Sequence, residues 1–226
     1  MYAYLRKKEI VTGSIYGVFH FLILPSLAAT IFLVSGTSEW IIQFGIFLFS
    51  FVASIVIYRH FLLQSCKDAL EKPVRFLACS VLALAIFYVL FLLVSYIIYQ
   101  VNPNYKNLND EGIIQLVDQG GIWIILATVI LAPVAEECLF RGLLFRAIYE
   151  QHPVLAWIIS PIAFSAVHLL AYANLYDTGT MALAFLQYLP AGMALCLAYK
   201  KAGSILSPIL VHSLINLINV FLLTRS

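Results

Sequence analysis

Residues 122–145 read IWIILATVILAPVAEECLFRGLLF, and this stretch decides the fold. At about 1.5 Å per residue it is long enough to cross roughly 30 Å of hydrocarbon as a helix. Yet it holds Glu136, Glu137 and Arg141. Each charge at a bilayer centre costs about 2.5–3.5 kcal/mol on insertion scales, so all three demand partners. Arg141 follows Glu137 by one helical turn, which makes that pair the natural ion bridge. Glu136 points about 100° away around the helix and keeps its carboxylate for something else.

The rest of the chain confirms lipid as the solvent. It has 226 residues, 63% hydrophobic and 11% charged, against about 45–50% and about 25% in a soluble domain. Apolar runs place spans at about 13–36, 40–63, 74–100, 121–147, 153–172, 180–199 and 203–223. The first follows Arg6-Lys7-Lys8 but is longer than a signal core, so it reads as a retained span. The expected fold is all-α: a polytopic membrane bundle of about seven transmembrane helices. The polar stretch from Val101 to Gly120 reads as a loop. It separates a three-span region, 1–120, from a four-helix core, 121–226.

Ten of the 13 basic residues fall on alternate ends of these spans: Arg6, Lys7, Lys8, Arg59, Lys67, Lys72, Arg75, Arg146, Lys200 and Lys201. Lys106 and Arg225 fall opposite, and Arg141 lies inside. This alternation sets the N-terminus in the cytoplasm and suits a plasma (inner) membrane protein. The basic residues form no nucleic-acid stripe, so no nucleic acid is expected as partner. Cys66, Cys79, Cys138 and Cys196 show no CxxC spacing and read as buried thiols.

Further polar groups interrupt the later spans. His168 lies in the apolar run 157–172, with Phe164 one turn earlier on the same face. His212 lies in the run 205–223, with Asn216 at i+4 on its face. Each alone fits a hydrogen bond between helices. Together with Glu136 they form a constellation, and the chemistry open to it is hydrolysis. A desolvated Glu136 suits taking a proton from water, and His168 could orient that water. His212 and Asn216 carry donors for a developing oxyanion. Glu136, His168 and His212 also match a catalytic zinc set with one open position, although HExxH is absent.

Straight helices would put Glu136 about 8 Å from the cytoplasmic edge, His212 about 13 Å and His168 about 22 Å. Kinks at Pro133 and Pro161 are needed to bring them level. On this count the cavity is expected to open toward the cytoplasm.

Glu136-Glu137-Cys138-Leu139-Phe140-Arg141 resembles the EExxxR motif of the CAAX protease and bacteriocin-processing (CPBP, or Abi) family. Phe164 to His168 resembles its FxxxH motif, and His212 to Asn216 its HxxxN motif. The resemblance spans about Gly121 to Val220 and includes the type II CAAX prenyl endopeptidases. It implies an intramembrane endopeptidase that hydrolyses a peptide bond of a membrane-associated protein or peptide in the lipid bilayer. Glu136 would be the catalytic base and His168 its partner on the water. His212 and Asn216 would hold the oxyanion, with Glu137, Arg141 and Phe164 in support. A metal-free glutamate mechanism is favoured, with no cofactor; zinc or another divalent metal stays open.

Two other function classes fit parts of the pattern. A transporter would use buried acids and histidines as an ion path, but no repeat accompanies them. A non-catalytic scaffold or bacteriocin-immunity protein would keep the same bridges without chemistry. Asp177-Thr178-Gly179 spells an aspartic-protease signature, but a short loop cannot supply the paired β-lobes that enzyme needs.

Overall fold

The computed structural model describes residues 4–172 and 175–224, so Arg225 lies outside the described residues. Among these, every regular element is helical. We number the helices α1 Lys7–Ser35, α2 Glu39–Ile57, α3 Arg59–Glu71, α4 Pro73–Val101, α5 Leu108–Gly120, α6 Ile122–Tyr149, α7 Pro153–Val167, α8 Thr178–Ala202 and α9 Leu206–Leu223. Six of them, α1, α2, α4, α6, α8 and α9, are long and apolar enough to cross a membrane. The fifth expected span is the shorter helix α7, whose 15 residues rise only about 22 Å. It stops beside the polar groups at the centre instead of crossing fully.

Two elements depart from the expected layout. The second span ends at Ile57, and residues 59–63 open the separate helix α3. No side chain of its own caps α3. Glu9 of α1 does so instead, its Oε1 accepting from the backbone N–H of His60 at 3.1 Å and of Phe61 at 3.0 Å. A buried carboxylate there satisfies orphan donors and complements the helix dipole. The second departure lies in the presumed loop 101–120, which contains α5. Asn107 caps it, accepting from the N–H groups of Asn109 and Asp110. Gly121 ends it at φ +52°, a conformation that favours glycine.

The basic residues that alternate in sequence gather on one face. Arg75 Nε donates to the Lys201 carbonyl at 2.9 Å, and Lys200 lies over the Tyr149 ring. Ser204 Oγ donates to the Ser65 carbonyl at 2.8 Å, so α3 covers the α8–α9 turn. On the opposite face α5 is joined to α8 by Asn107 Nδ2 and Gln187 Oε1 at 2.9 Å. Asp177, in the decoy signature, simply caps α8 by accepting from Gly179 and Thr180.

One core runs through both halves of the chain. Tyr16, Tyr58 and Phe61 pack with Leu139, Phe145 and Ile205 near the basic face. Phe87 packs with Phe140, Phe164, Leu195 and Val211 at mid-depth. Outward positions such as Leu33, Val56, Val81, Leu92 and Val154 stay exposed, as a lipid-facing surface should.

Candidate active site

Helix α6 is irregular where the charges sit. Its turns widen over Ala127–Leu131 and again over Cys138–Phe145, leaving Glu136 between two π-helical segments. Such bulges recur at functional sites. Pro133 accounts for the first. It has no N–H and its ring would crowd a carbonyl of the preceding turn. In the wide turn the N–H of Ala132 bonds the carbonyl of Ala127. The next bond in that register would join residue 133 to Thr128, and proline cannot make it. The Thr128 carbonyl is instead taken by Asn216 Nδ2 from α9 at 2.9 Å.

Glu137 is fully buried and is the hub that joins three helices. Its Oε1 accepts from Arg141 Nη1 at 2.9 Å and from His212 Nδ1 at 2.9 Å. Arg141 Nη2 donates to the Gly192 carbonyl of α8 at 3.1 Å. The guanidinium also lies over the Phe164 ring, 4.4 Å from its centroid. Gly192 must be glycine here, because a Cβ would come within 2.8 Å of the Pro161 Cα. That close approach of α7 and α8 brings the carbonyl within reach of Arg141.

Glu136 has no such partners. Its Oε2 is buried and, among the described residues, accepts no hydrogen bond. His168 Nε2 stands 3.8 Å from it and His212 Nε2 3.9 Å. Both separations exceed a hydrogen bond, and both leave room for a bridging water. His168 Nδ1 is 2.7 Å from the Phe164 carbonyl, which can only accept. The proton is therefore on Nδ1, and neutral His168 turns its Nε2 lone pair to the cavity. Its ring is held between Tyr188, stacked at 4.5 Å, and Phe164.

The expected depth mismatch disappears on one point of geometry. Helix α6 continues to Tyr149 and α7 begins at Pro153 on the same side. Counted from that shared turn, Glu136 and His168 lie about 20 Å and about 22 Å deep at about 1.5 Å per residue. His212 reaches them because the α8–α9 turn is itself covered by α3.

Glu136, His168, His212 and Asn216 thus line one cavity of about 580 Å³, with Phe164 in its wall. Glu137 and Arg141 lie behind it. The cavity does not open toward the basic face, as depth counting implied. Its other walls are Glu39, Asn107, Asp110 and Gln115, so its mouth lies under α5 on the opposite face. The count erred because it fixed the edge of α6 too near Glu136.

Three features were not foreseen. The His212–Glu137 bond joins residues far apart in sequence and leaves no local signal. The Thr128 carbonyl could have been found from Pro133 five residues on. Tyr188 carries no signal beyond its place in an apolar helix.

Glu136, His168 and His212 are the donors that a metal ion would use here. Tetrahedral zinc with bonds of about 2.1 Å holds its ligand atoms about 3.4 Å apart, closer than the separations at Glu136. Among the described residues no three His, Cys, Asp or Glu side chains converge as a metal-holding group.

Residues 118–218 match the family described as type II CAAX prenyl endopeptidase Rce1-like. The chain is also 33% identical over 93 residues to the UPF0177 protein YbdJ of Lactococcus lactis subsp. lactis (strain IL1403). That match covers 41% of this chain and 36% of the relative, so the chain spans about a third of that protein's length. No solved structure matches. Every motif residue from Glu136 to Asn216 falls within residues 118–218, the part of the chain that is similar to the Rce1-like family.

Proposed function

We propose that this protein is an intramembrane endopeptidase that hydrolyses a peptide bond of a membrane-associated protein or peptide with water activated by Glu136. One observation carries the reading: a buried, unpartnered Glu136 Oε2 faces two imidazole nitrogens at 3.8 and 3.9 Å. A water between them would give its proton to Glu136 while the His168 Nε2 lone pair orients it. Its oxygen attacks the carbonyl carbon, and the carbonyl oxygen becomes an oxyanion. The oxyanion then collapses to the carboxylic acid as the C–N bond breaks, and Glu136 returns the proton to the departing amine nitrogen.

Two donors support the oxyanion in this reading. Asn216 has a second amide hydrogen beyond the one given to Thr128. His212 spends its Nδ1–H on Glu137, so its Nε2 offers a proton only as imidazolium. The carboxylates of Glu136 and Glu137 flank that form as counter-charges. Glu137 and Arg141 hold the helices in register and touch no reacting atom. No metal takes part in these steps, and a chelator should leave activity unchanged.

The test compares the membrane proteome of cells carrying wild type, Glu136→Ala and Glu136→Gln. An uncut precursor should accumulate in both variants. If all three proteomes coincide and the cellular phenotype persists, the protein is a scaffold and not an enzyme.

A further inference from the structure

Two cavities of unlike character meet at Glu136 and His168. The chamber under α5 is the more polar of the two: Asn107, Gln187, Glu39 and Asp110 line it beside aromatic residues such as Phe87 and Phe91. Among the described residues no lysine or arginine lines it. The second cavity, about 570 Å³, is a slot between α1 and α2 walled by Leu24, Ala28, Phe32, Ile46 and Phe47. Glu39, Gln43, Glu136 and His168 border both. Helix α1, which forms one wall of the slot, also carries the exposed residues Leu22, Leu27 and Leu33.

The chamber's charge is uncompensated. Lys106 is the described cation on this face, and it pairs with Glu111 at 3.7 Å. Among the described residues neither Glu39 nor Asp110 forms an ion pair. Thr128, 9% exposed and part of the chamber wall, has a buried hydroxyl with no hydrogen-bond partner among the described residues. Carboxylates in a recess with low-dielectric walls focus potential and draw cations.

We infer that the substrate is an amphipathic peptide whose cationic segment sits in the chamber under α5 and whose apolar segment lies in the α1–α2 slot. The bond at their junction then rests beside Glu136 and His168. This last clause rests on the endopeptidase reading; the binding does not. The slot takes the apolar segment because its walls are mostly apolar, and it joins the chamber along Glu39, Gln43, Phe47, Ala132, Val167 and the reactive pair. A chain threading both must change character there.

The probe is a pair of fluorescent peptides sharing one apolar half, with the polar half rich in lysine or in glutamate. Binding is measured by anisotropy on the full chain carrying Glu136→Gln, in neutral detergent. The lysine peptide should bind about tenfold more tightly, roughly the worth of one desolvated charge pair. Asp110→Asn with Glu39→Gln should remove most of that preference, and added salt should shrink it. Ala28→Trp, which fills the slot, should weaken both peptides alike. Equal affinities, no binding of either peptide, or a preference untouched by the double substitution would overturn the inference. A lysine peptide that binds but is never cut by wild type leaves the binding inference standing and counts against the endopeptidase.

Discussion

The carboxamide of Asn216 donates to the main-chain carbonyl of Thr128 at 2.9 Å, replacing the bond that Pro133 denies to α6. Asn216 is thus a helix-to-helix lock, and in the proposed mechanism it is an oxyanion donor as well. Asn216→Ala strands a carbonyl in a site largely closed to water, at a cost of about 1–3 kcal/mol. Pro133→Ala returns an N–H that can bond Thr128 from within α6. In a double-mutant cycle on unfolding in detergent, Pro133→Ala should recover part of the Asn216→Ala loss without restoring cleavage. Strictly additive stabilities would show that the two positions do not share this carbonyl.

The adjacent glutamates should separate stability from chemistry. Glu137→Gln leaves Arg141 buried with no counter-charge and should cost about 3–5 kcal/mol. Glu136→Gln breaks no hydrogen bond of Oε2 and should shift stability by less than about 1 kcal/mol. Cleavage should nevertheless fall about 10²–10⁴-fold, the usual worth of a general base. Thermal unfolding of both variants beside precursor accumulation measures the contrast. If Glu136→Gln unfolds as readily as Glu137→Gln, the carboxylate is structural.

Much of this site was legible in sequence, because helical spacing is local. Glu137 and Arg141 at i,i+4, and Phe164 before His168, meet as their spacing requires. The three motifs fall on three helices that do converge. What sequence hid was non-local or irregular. The fold alone joins Glu137 to His212, and α6 departs from straight geometry at its π segments. Helix α5 was missed for a different reason. Its polar composition outweighed a readable start, Asn107 with Asp110 and Glu111 in the first turn. That omission also hid the roof of the cavity and reversed its expected opening.

Asp110 gives the chamber a pH signature. Burial pushes its carboxyl up to about 6, above the roughly 3.9 of an unfolded aspartate. The folded state thus favours the neutral form, and Asp110 lowers stability as pH rises from about 4 to about 6. Its phenol neighbours do not titrate there. Burial pushes Tyr105 up to about 12 and Tyr172 upward, and Tyr188 is likewise a neutral phenol in this range. Glu111 is held by Lys106, leaving Glu39 and Glu136 as the other carboxylates of the chamber. Preference for the lysine peptide should be full above about pH 7 and should decline below about 6. Asp110→Asn should flatten that decline. A profile unchanged by Asp110→Asn would assign the titration elsewhere.

The basic belt and the cavity lined by α5 residues lie on opposite faces, which predicts the side from which a substrate would arrive. Lysine and arginine beside spans are retained on the cytoplasmic side, and ten of the 13 lie on the belt. The chamber under α5 must then open away from the cytoplasm. Single cysteines test this in a background carrying Cys66→Ser and Cys79→Ser. Gln115→Cys stands at the chamber mouth, and Gln64→Cys lies on α3 at the belt; both positions are exposed. On intact cells a membrane-impermeant maleimide should label Gln115→Cys at once and Gln64→Cys only after lysis. The reverse pattern would place the belt outside. The charge rule would then fail for this chain, and the amphipathic substrate would have to be drawn from the cytoplasm.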